Sequence, residues 1–444
     1  MKRRAIQAPE WLTKSAIYQI NPRTFSSEGT ISAVIKELPL LAQLGFGIMY
    51  LCPIFEEDDS KEETYWSTRQ KKSHTKNPKN PYRINDYFKI DKEYGTEDDL
   101  RTFINESHRL GMRVLLDLVY MHIGPYAPIL KSHPEFAKQD ADGNIINSEY
   151  HFPYLDFNSA GLREYLWSNM TYYIGAFDAD GFRCDVGDAV PIDFWVEGRR
   201  RMRAIKPDSV LINEGFNWDS TLCGFDAIYC FDWHEELYSV FSEKRPASVL
   251  RSKWEEIAAL LPAGCTLLRD IDNHDTVTDW PTRTETVAGH DGMEFIEMLN
   301  YFIDGVPMIY CGNELADTAR VSMFANRFHM GNFEVTDRSV QHTKAAARRQ
   351  SIFKHLNEIK RTNELLLIGK TEWLDNSEPD KIVSFARVHE GKKLIVIGNT
   401  SASSCTVTVE SFEDGKHIIE NGCEKISDKT VCLAGHGYIA VEIN

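Results

Sequence analysis

The sequence lacks the features that mark membrane proteins, secreted proteins and nucleic-acid-binding proteins. No stretch approaches the roughly 18 consecutive apolar residues of a membrane-spanning helix, and the opening MKRRAIQAPEWLTKSA has no apolar run of the kind that a secretory signal needs. Positive charge is outnumbered, because the sequence has 50 Lys and Arg but 66 Asp and Glu, which gives a net charge of -16. An acidic protein repels phosphate backbones. We therefore expect no membrane partner, no nucleic-acid partner and a cytoplasmic location.

Paired cysteines are also missing. The nine cysteines are odd in number and scattered, and none forms a CxxC pair, so neither a zinc cage nor a disulfide framework is indicated. Cys52 and Cys311 lie inside the apolar runs LCPIF and IYCGN, which is typical of buried, reduced thiols. Hydrophobic residues make up 42% of the 444 residues and charged residues 26%. These are the proportions of an ordinary globular protein with one to three domains.

What the sequence has instead is alternation. Short apolar runs rich in Val, Ile, Leu, Tyr and Phe, as buried parallel strands are, are followed by segments with helical spacing and marked ends, as in TEDDLRTFINESHRLG. Strand–helix alternation repeated eight times predicts an α/β fold, a parallel (β/α)8 TIM barrel. The predicted strands are AIYQI (16–20), FGIMYL (46–51), MRVLLDLV (112–119), ADGFRCDV (179–186), SVLINE (209–214), FDAIYC (225–230), CTLLRDI (265–271) and VPMIY (306–310).

Three segments depart from the alternation. Residues 53–95 form a long polar loop, and we interpret its basic run RQKKSHTKNPKN as solvated. Residues 123–158 hold Gly, Pro and aromatic residues without a clear helix, which indicates a small excursion after strand three. From about residue 366, the runs KIVSFARV, KKLIVIGN, CTVTVE and GYIAVEI predict antiparallel strands separated by turns. The predicted domains are a barrel at 1–122 and 159–365, an inserted segment at 123–158 and a C-terminal β-sandwich at 366–444.

Acidic motifs end four of the predicted strands, namely DLVYMH, GFRCDV, INEG and DIDNHD. Asp185 and Glu214 are 29 positions apart, about one strand–helix repeat, and Glu214 and Asp275 are 61 apart, about two repeats. The chemistry of such barrels collects at the carboxyl ends of the strands. The spacing therefore predicts that these three carboxylates meet at one face.

Two of these acids have environments that suit different tasks. Arg183 and Asp185 are two residues apart, so their side chains project to the same side of a strand, and a guanidinium there would keep Asp185 ionised. Glu214 ends the apolar run SVLIN, where partial desolvation would keep it protonated as a general acid. Two carboxyl groups about 5–5.5 Å apart across a sugar would give hydrolysis with retention.

The ordered motifs resemble the α-amylase family, glycoside hydrolase family 13. DLVYMH, GFRCDV, the acid Glu214 after strand five and NHD at 273–275 carry the resemblance, supported by AIYQINPRTF, YLCPIF and GVPMIYCGNE. The resemblance implies that Asp185 attacks the anomeric carbon and that Glu214 protonates the leaving oxygen and then activates water. It implies that Asp275 holds sugar hydroxyls and favours the distorted ring.

The resemblance also implies a set of substrate-binding residues. His122 and His274 would donate or accept hydrogen bonds at hydroxyls of the same sugar, and Tyr82 would stack on its apolar face. Arg183 would orient Asp185, and Asp117 would brace the cluster from strand three.

Two positions depart from the family pattern. Members commonly have asparagine before the strand-three histidine, where it ligates a structural calcium, but this sequence has Met121, and a thioether is a poor ligand for a hard cation. We expect no calcium there and no cofactor for the chemistry. Members that act on long starch often carry Lys-His where this sequence has Asp188 and Ala189, which favours a shorter oligosaccharide or transfer to another sugar.

The predicted function is hydrolysis of α-glucosidic bonds, chiefly α-1,4, in malto-oligosaccharides or related α-glucans. One alternative is a transglycosylase that passes the same glycosyl–enzyme intermediate to a sugar hydroxyl. Another is a sugar-binding barrel without catalysis, which the presence of all three carboxylates disfavours. The sequence predicts an oligosaccharide partner and does not predict an oligomeric state.

Overall fold

The first part of the chain is a closed barrel of eight parallel strands. The structure, a computed structural model, describes residues 3–325, 336–413 and 415–443. Each strand pairs with its neighbours along the sequence, and the last pairs with the first, with Tyr18 opposite Ile309. The predicted barrel and its eight strands are confirmed. The strands are β1 Ile17–Ile20, β2 Ile48–Leu51, β3 Arg113–Leu118, β4 Gly181–Cys184, β5 Val210–Asn213, β6 Ala227–Tyr229, β7 Leu267–Arg269 and β8 Val306–Tyr310.

Long helices connect most of the strands. The helix Glu97–Arg109 begins where the sequence predicts, since Thr96 and Asp99 form a capping box at its amino end. Strands β5 and β6 are an exception, because only the short 3-10 helix Trp218–Leu222 joins them, so the predicted alternation is interrupted there. No helix in the described ranges has the length and apolarity to cross a bilayer. The long helices are Ile31–Gln43, Glu97–Arg109, Ala160–Phe177, Ile192–Ile205, Phe231–Ser242, Ser248–Leu260, Thr284–Phe302 and Lys344–Thr362.

Most of the shorter elements lie in the connections that follow the strands. The loop after β2 contains a two-stranded antiparallel ribbon of Phe55–Glu57 and Ile84–Ile90. The excursion at 123–158 contains one short α-helix, one 3-10 helix and isolated bridges. The short α-helices are Glu10–Thr13, Pro22–Phe25, Thr68–Lys72, Pro128–Ser132, Thr276–Asp279 and Glu364–Ile368, and the other 3-10 helices are Glu63–Tyr65, Pro134–Phe136, Gly187–Ala189, Asn313–Leu315 and Arg338–His342.

The basic run in the loop after β2 is solvated, as the sequence predicts, only at some of its positions, such as Lys72. Gln70, Asn77 and Asn80 are buried. The Gln70 Nε2 donates to the carbonyl oxygen of Asn77 at 2.8 Å, and the Asn77 Nδ2 donates to the carbonyl oxygen of Ala325 at 2.9 Å. Polar side chains can be buried in this way because backbone carbonyls satisfy their donors. The run therefore packs against the barrel face as part of the fold.

Two apolar cores and one C-terminal sheet complete the architecture. One core fills the barrel interior with side chains from β1, β2, β3, β5, β6, β7 and β8, and the other lies between the strands and the helices. The first of these cores is a packed interior of the kind that fills such barrels. Cys52 and Cys311 are buried free thiols, as the sequence predicts. Because apolar side chains fill the interior, polar side chains that could act on a ligand lie at the ends of the barrel.

The C-terminal region is a single six-stranded antiparallel sheet with its own apolar core. The four predicted runs lie in β10, β11, β12 and β14, which confirms an antiparallel β domain there. The sequence does not predict β9 or β13; β13 reads KHIIENGCEK, and its Gly, Asn and charged residues disfavour strands. The strands are β9 Lys370–Trp373, β10 Ile382–His389, β11 Lys392–Asn399, β12 Cys405–Thr408, β13 Lys416–Lys425 and β14 Thr430–Ile443.

Candidate active site

A cavity of about 300 Å³ lies at the carboxyl ends of the barrel strands. The structure brings six of the seven predicted site residues to its surface, and the seventh, Arg183, is buried directly beneath. The predicted residues that line the cavity are Tyr82, His122, Asp185, Glu214, His274 and Asp275. The further lining residues are Ser67, Arg69, Asn80, Tyr150, Phe152, Val186, Asp188, Gly215, Phe216, Phe231, Glu235, Met323 and Phe324.

Arg183 on β4 gathers carboxylates from three adjacent strands. Its Nη1 donates to Asp117 Oδ1 at 2.8 Å, at the end of β3, and to Asp185 Oδ1 at 2.9 Å. Its Nη2 forms an ion pair with Glu214, which follows β5. The contact with Asp185 is the one that strand alternation predicts. The sequence does not predict the contact with Glu214, which places the carboxylates of Asp185 and Glu214 beside one planar guanidinium. We call Arg183, Asp117, Asp185 and Glu214 the Arg183 cluster.

The electrostatics of the Arg183 cluster correct one expectation. We expected Arg183 to keep Asp185 ionised. Instead, burial raises the pKa of Asp185 well above its usual range, and Glu214 and Asp117 add to that rise while Arg183 opposes it. One guanidinium cannot offset desolvation and three acids together. Burial and the neighbouring acids therefore disfavour the ionised form of Asp185, which Arg183 favours.

The turn after β4 is tied to the end of β5. The backbone N–H of Val186 donates to Glu214 Oε2 at 2.9 Å, and the N–H of Gly187 donates to the Glu214 carbonyl oxygen at 3.0 Å. Val186 has φ of 41°, a conformation that is costly for a β-branched residue. Such strain is found where function holds the backbone, and here it aims an N–H at the Glu214 side chain.

Asp188 holds the turn that carries Glu214. Its Oδ2 accepts the backbone N–H of Phe216 at 2.6 Å and that of Asn217 at 2.9 Å. Its Oδ1 accepts from Asn213 Nδ2 at 2.8 Å. The residue that marked a departure from the family pattern is therefore a support for the turn beside Glu214.

His274 and Tyr82 form a stacked pair at the cavity wall. Gln19 on β1 donates to His274 Nδ1 at 2.9 Å, so the proton of the ring is on Nε2, which lies 2.6 Å from the Tyr82 hydroxyl. The two rings are stacked with centroids 5.4 Å apart, and the Tyr82 hydroxyl also contacts Asp117 at 3.2 Å. Burial lowers the pKa of His274 below its usual range, although Asp275 opposes this.

His122 carries an unused buried nitrogen. Its Nε2 donates to the Tyr82 carbonyl oxygen at 2.9 Å, which leaves Nδ1 as an acceptor. That Nδ1 is buried and has no hydrogen-bond partner among the residues that the structure describes. Burial lowers the pKa of His122 to about 4, so the ring is neutral at physiological pH. A neutral ring with a free acceptor suits a sugar hydroxyl.

Asp275 is paired with an arginine that the sequence interpretation missed. Arg69 Nη2 donates to Asp275 Oδ1 at 2.6 Å, and Arg69 Nε donates to Asp279 Oδ1 at 2.9 Å. Burial raises the pKa of Asp275, but the nearby Arg69 guanidinium and His274 outweigh it and hold that pKa below its usual range. Arg69 belongs to the run interpreted as solvated, and no local signal separates it from Lys71 or Lys72.

Several known proteins are similar to this chain. Residues 13–142 match the family model described as the catalytic domain of alpha amylase. A maltogenic alpha-amylase of Bacillus acidopullulyticus is 23% identical over 94% of this chain and 74% of its own length. A cyclomaltodextrinase of Geobacillus thermopakistaniensis is 26% identical over 70% of this chain and 58% of its own length.

Solved structures show the same fold. The crystal structure of an alpha-amylase from Lactobacillus plantarum matches with a TM-score of 0.79 and 23% identity, over 98% of this chain and 100% of that one. Through the family model over residues 13–142 and these relatives, the chain is similar to the α-amylase family, glycoside hydrolase family 13.

Proposed function

We propose that the protein is a retaining α-glycoside hydrolase that acts on α-glucosidic bonds, chiefly α-1,4, of malto-oligosaccharides or related α-glucans. The observation that carries the proposal is the placement of Asp185 and Glu214 beside one guanidinium in a cavity that also contains Asp275. Two carboxylates that share a guanidinium lie close together, and a retaining mechanism needs two carboxyl groups about 5–5.5 Å apart. The relatives named maltogenic amylase and cyclomaltodextrinase support this substrate class.

In the first step, Asp185 attacks the anomeric carbon of the bound sugar. The bond between that carbon and the leaving oxygen breaks, and Glu214 gives its proton to the leaving oxygen. The products are a β-glycosyl ester on Asp185 and a shortened sugar. This step requires Glu214 to be protonated and Asp185 to be ionised.

In the second step, the ionised Glu214 takes a proton from water as the water oxygen attacks the same carbon. The ester bond breaks, Asp185 leaves as a carboxylate, and the product has the α configuration of the substrate. Glu214 regains the proton that it gave in the first step, so the cycle closes.

The remaining site residues hold the sugar while charge develops on it. Asp275, with its low pKa, is an anion that accepts from hydroxyl groups and stabilises a positive ring. The unpartnered Nδ1 of His122 accepts from one hydroxyl. Tyr82, whose ring is stacked on His274, lines the cavity and would contact the sugar. These contacts would strengthen as the ring approaches the oxocarbenium-like transition state.

Product analysis with maltotriose tests the proposal. Nuclear magnetic resonance of the first products should show the α-anomer before mutarotation, and the amount of sugar with four or more rings should stay negligible. The β-anomer would contradict retention, and early accumulation of longer oligosaccharides would favour the transglycosylase. No cleavage of any α-glucan would favour the sugar-binding barrel.

We also propose that catalysis needs no calcium next to His122. Met121, at the position where relatives commonly have a calcium ligand, is buried and offers only a thioether. Treatment with EDTA should leave the melting temperature and kcat unchanged. A fall in melting temperature that calcium, and not magnesium, restores would contradict this.

We propose a cytoplasmic location as well. A relative in Bacillus subtilis, 25% identical over 88% of this chain, is named intracellular maltogenic amylase, and nine free cysteines suit a reducing compartment. Fractionation of the source cells should place the protein with cytosolic markers.

A further inference from the structure

The two ends of the cavity are built differently. Three segments that follow β2, β7 and β8 form one end, which we call the Asp275 wall. The segments that follow β4, β5 and β6 form the other end, beside Glu214. In the strand order of the closed barrel, these two groups lie on opposite halves. The Asp275 wall consists of Ser67, Arg69, Asp275, Met323 and Phe324, and Asn80, Tyr82 and His274 on the same segments also line the cavity.

Hydrogen bonds join the three segments of the Asp275 wall to one another. Arg69 connects the β2 segment to the β7 segment through Asp275 at 2.6 Å and Asp279 at 2.9 Å. The backbone N–H of Met323 donates to Thr278 Oγ1 at 3.1 Å, which connects the β8 segment to the β7 segment. The contact of Asn77 with the Ala325 carbonyl connects β2 to β8. The described residues of the three segments are therefore joined to one another by hydrogen bonds.

Arg69 is held in place by its own neighbours. Ser67 caps the short helix Thr68–Lys72 by accepting the backbone N–H of Gln70 at 3.1 Å. The side chain of Gln70 is buried and donates to backbone carbonyls of the same loop. A helix fixed at its cap and by a buried side chain has little freedom to swing away. Arg69 is thus part of a built wall.

The opposite end of the cavity carries an exposed aromatic side chain. Phe216 exposes 64% of its surface there, and its ring centroid lies 5.2 Å from that of Phe231. Glu214 lies at this end and gives its proton to the leaving oxygen, so the leaving part of the substrate must extend this way. The sugar that is transferred to Asp185 then points its far hydroxyls at the Asp275 wall.

We propose that the Asp275 wall closes the glycone side of the site and makes the enzyme exo-acting, with Arg69 as a specificity-determining residue that binds the hydroxyls of the non-reducing end. The proposal rests on the proposed function. An arginine has five N–H donors, and the contacts with Asp275 and Asp279 use two of them. The Arg69 side chain is 31% exposed, so its remaining donors can reach a sugar.

The size of the cavity agrees with a short glycone. A volume of about 300 Å³ is at the small end of the roughly 300–1,000 Å³ that ligand pockets have. A glucan that ran through the site would need a gap in the Asp275 wall, where Arg69 joins Asp275. Consequently, a cyclic glucan or a chain blocked at its non-reducing end has no terminus to place against the wall.

Three substrates test the proposal on the intact protein. The first is maltoheptaose labelled at its reducing end, the second is the same sugar with a 4,6-O-ethylidene block at its non-reducing end, and the third is cyclomaltoheptaose. We expect the free chain to lose one or two glucose units at a time, and kcat/KM for the other two to be lower by at least about 100-fold. Equal rates on blocked and free chains would overturn exo action and leave the hydrolase intact. No cleavage of any of the three would instead overturn the proposed function.

Variants of Arg69 test its assignment. Arg69→Ala should raise kcat/KM on the blocked chain relative to the free chain by about 10-fold or more, and should raise KM for maltotriose more than it lowers kcat. Arg69→Lys keeps the charge and loses the planar fork, so its ratio should fall between those of Arg69→Ala and the wild type. Lys72→Ala, on the same helix and exposed, is the control and should keep the wild-type ratio. An unchanged ratio in Arg69→Ala, with wild-type melting temperature, would overturn the role of Arg69.

Discussion

The two arginines of the site neutralise carboxylates under different conditions. The Arg183 side chain is 1% exposed and faces three acids that are themselves buried or nearly so. The Arg69 side chain is 31% exposed, and its partners Asp275 and Asp279 are 34% and 46% exposed. Water can replace Arg69 as a partner of Asp275, but nothing as effective can replace Arg183. We infer that the Arg183 cluster is needed for catalysis and for stability, whereas Arg69 determines which substrates are selected.

The largest expected effect is at Asp185. Asp185→Asn keeps the shape of the side chain and removes the nucleophile, so kcat on maltotriose should fall by about 10⁴-fold or more, as when other hydrolases lose theirs. Because burial and Glu214 raise the pKa of Asp185, its charge destabilises the folded state near neutral pH. The melting temperature of the variant should therefore equal or exceed that of the wild type.

In Asp185→Asn, kcat should fall while the melting temperature does not, which separates loss of chemistry from loss of folding. The control Asp428→Asn changes an aspartate whose side chain is fully exposed, and it should keep both kcat and melting temperature. Activity of Asp185→Asn within 10-fold of wild type would contradict the nucleophile assignment.

The next effect compares the arginines directly. Arg183→Met leaves buried carboxylates without their cation, and we expect the free energy of unfolding to fall by about 3–5 kcal/mol. Arg69→Met breaks a pair that is about one third exposed and should cost less than about 1 kcal/mol. Urea denaturation at pH 7 measures both. Equal losses would show that burial does not set the difference between the two sites.

Sequence reasoning found the strand-borne part of this site. Side chains on a strand alternate with a period of two, so Arg183 and Asp185 had to share a side. The barrel repeat then placed Glu214 and Asp275 at the same level, and the family motifs added His122. Geometry of this kind depends only on the regular elements. The eight strands and the face at which the three carboxylates meet could therefore be predicted together.

The loop-borne part was not predictable in the same way. Arg69 reaches Asp275 because the path of a long loop, and not a local period, brings it across the barrel face. The absence of a helix between β5 and β6, and β13 with its polar sequence, depend likewise on packing against other elements. Asp188 was recognised as a departure, but the N–H groups that it accepts belong to a turn whose conformation no pattern specifies.

A smaller effect is expected at Asp188. Asp188→Ala leaves the backbone N–H groups of Phe216 and Asn217 without their acceptor and loosens the turn that positions Glu214. We expect kcat on maltotriose to fall by about 10–100-fold, since displacement of a catalytic group by about 1 Å can cost that much. KM should change less.

The choice of leaving group distinguishes mispositioning of Glu214 from general damage. Departure of fluoride needs little help from an acid, so α-maltosyl fluoride should be cleaved by Asp188→Ala almost as fast as by the wild type. Asp188→Asn keeps an oxygen that accepts an N–H and should recover part of the loss. An equal loss on both substrates would contradict a role in positioning the acid.

The smallest effect is a shift in pH dependence at Asp275. Arg69 holds the pKa of Asp275 below its usual range, so the working carboxylate stays ionised well into acid. Arg69→Gln removes the cation, the pKa of Asp275 rises, and the acid limb of kcat/KM should move to higher pH. The limb of Arg69→Lys, which keeps the charge, should move less. The Arg69–Asp275 pair is partly exposed, so added salt should screen it. Salt should therefore move the acid limb of the wild type to higher pH and leave the acid limb of Arg69→Gln unchanged. Identical acid limbs in wild type and Arg69→Gln would mean that Arg69 does not influence Asp275 in the working enzyme, and the comparison of the two arginines would then reduce to stability alone.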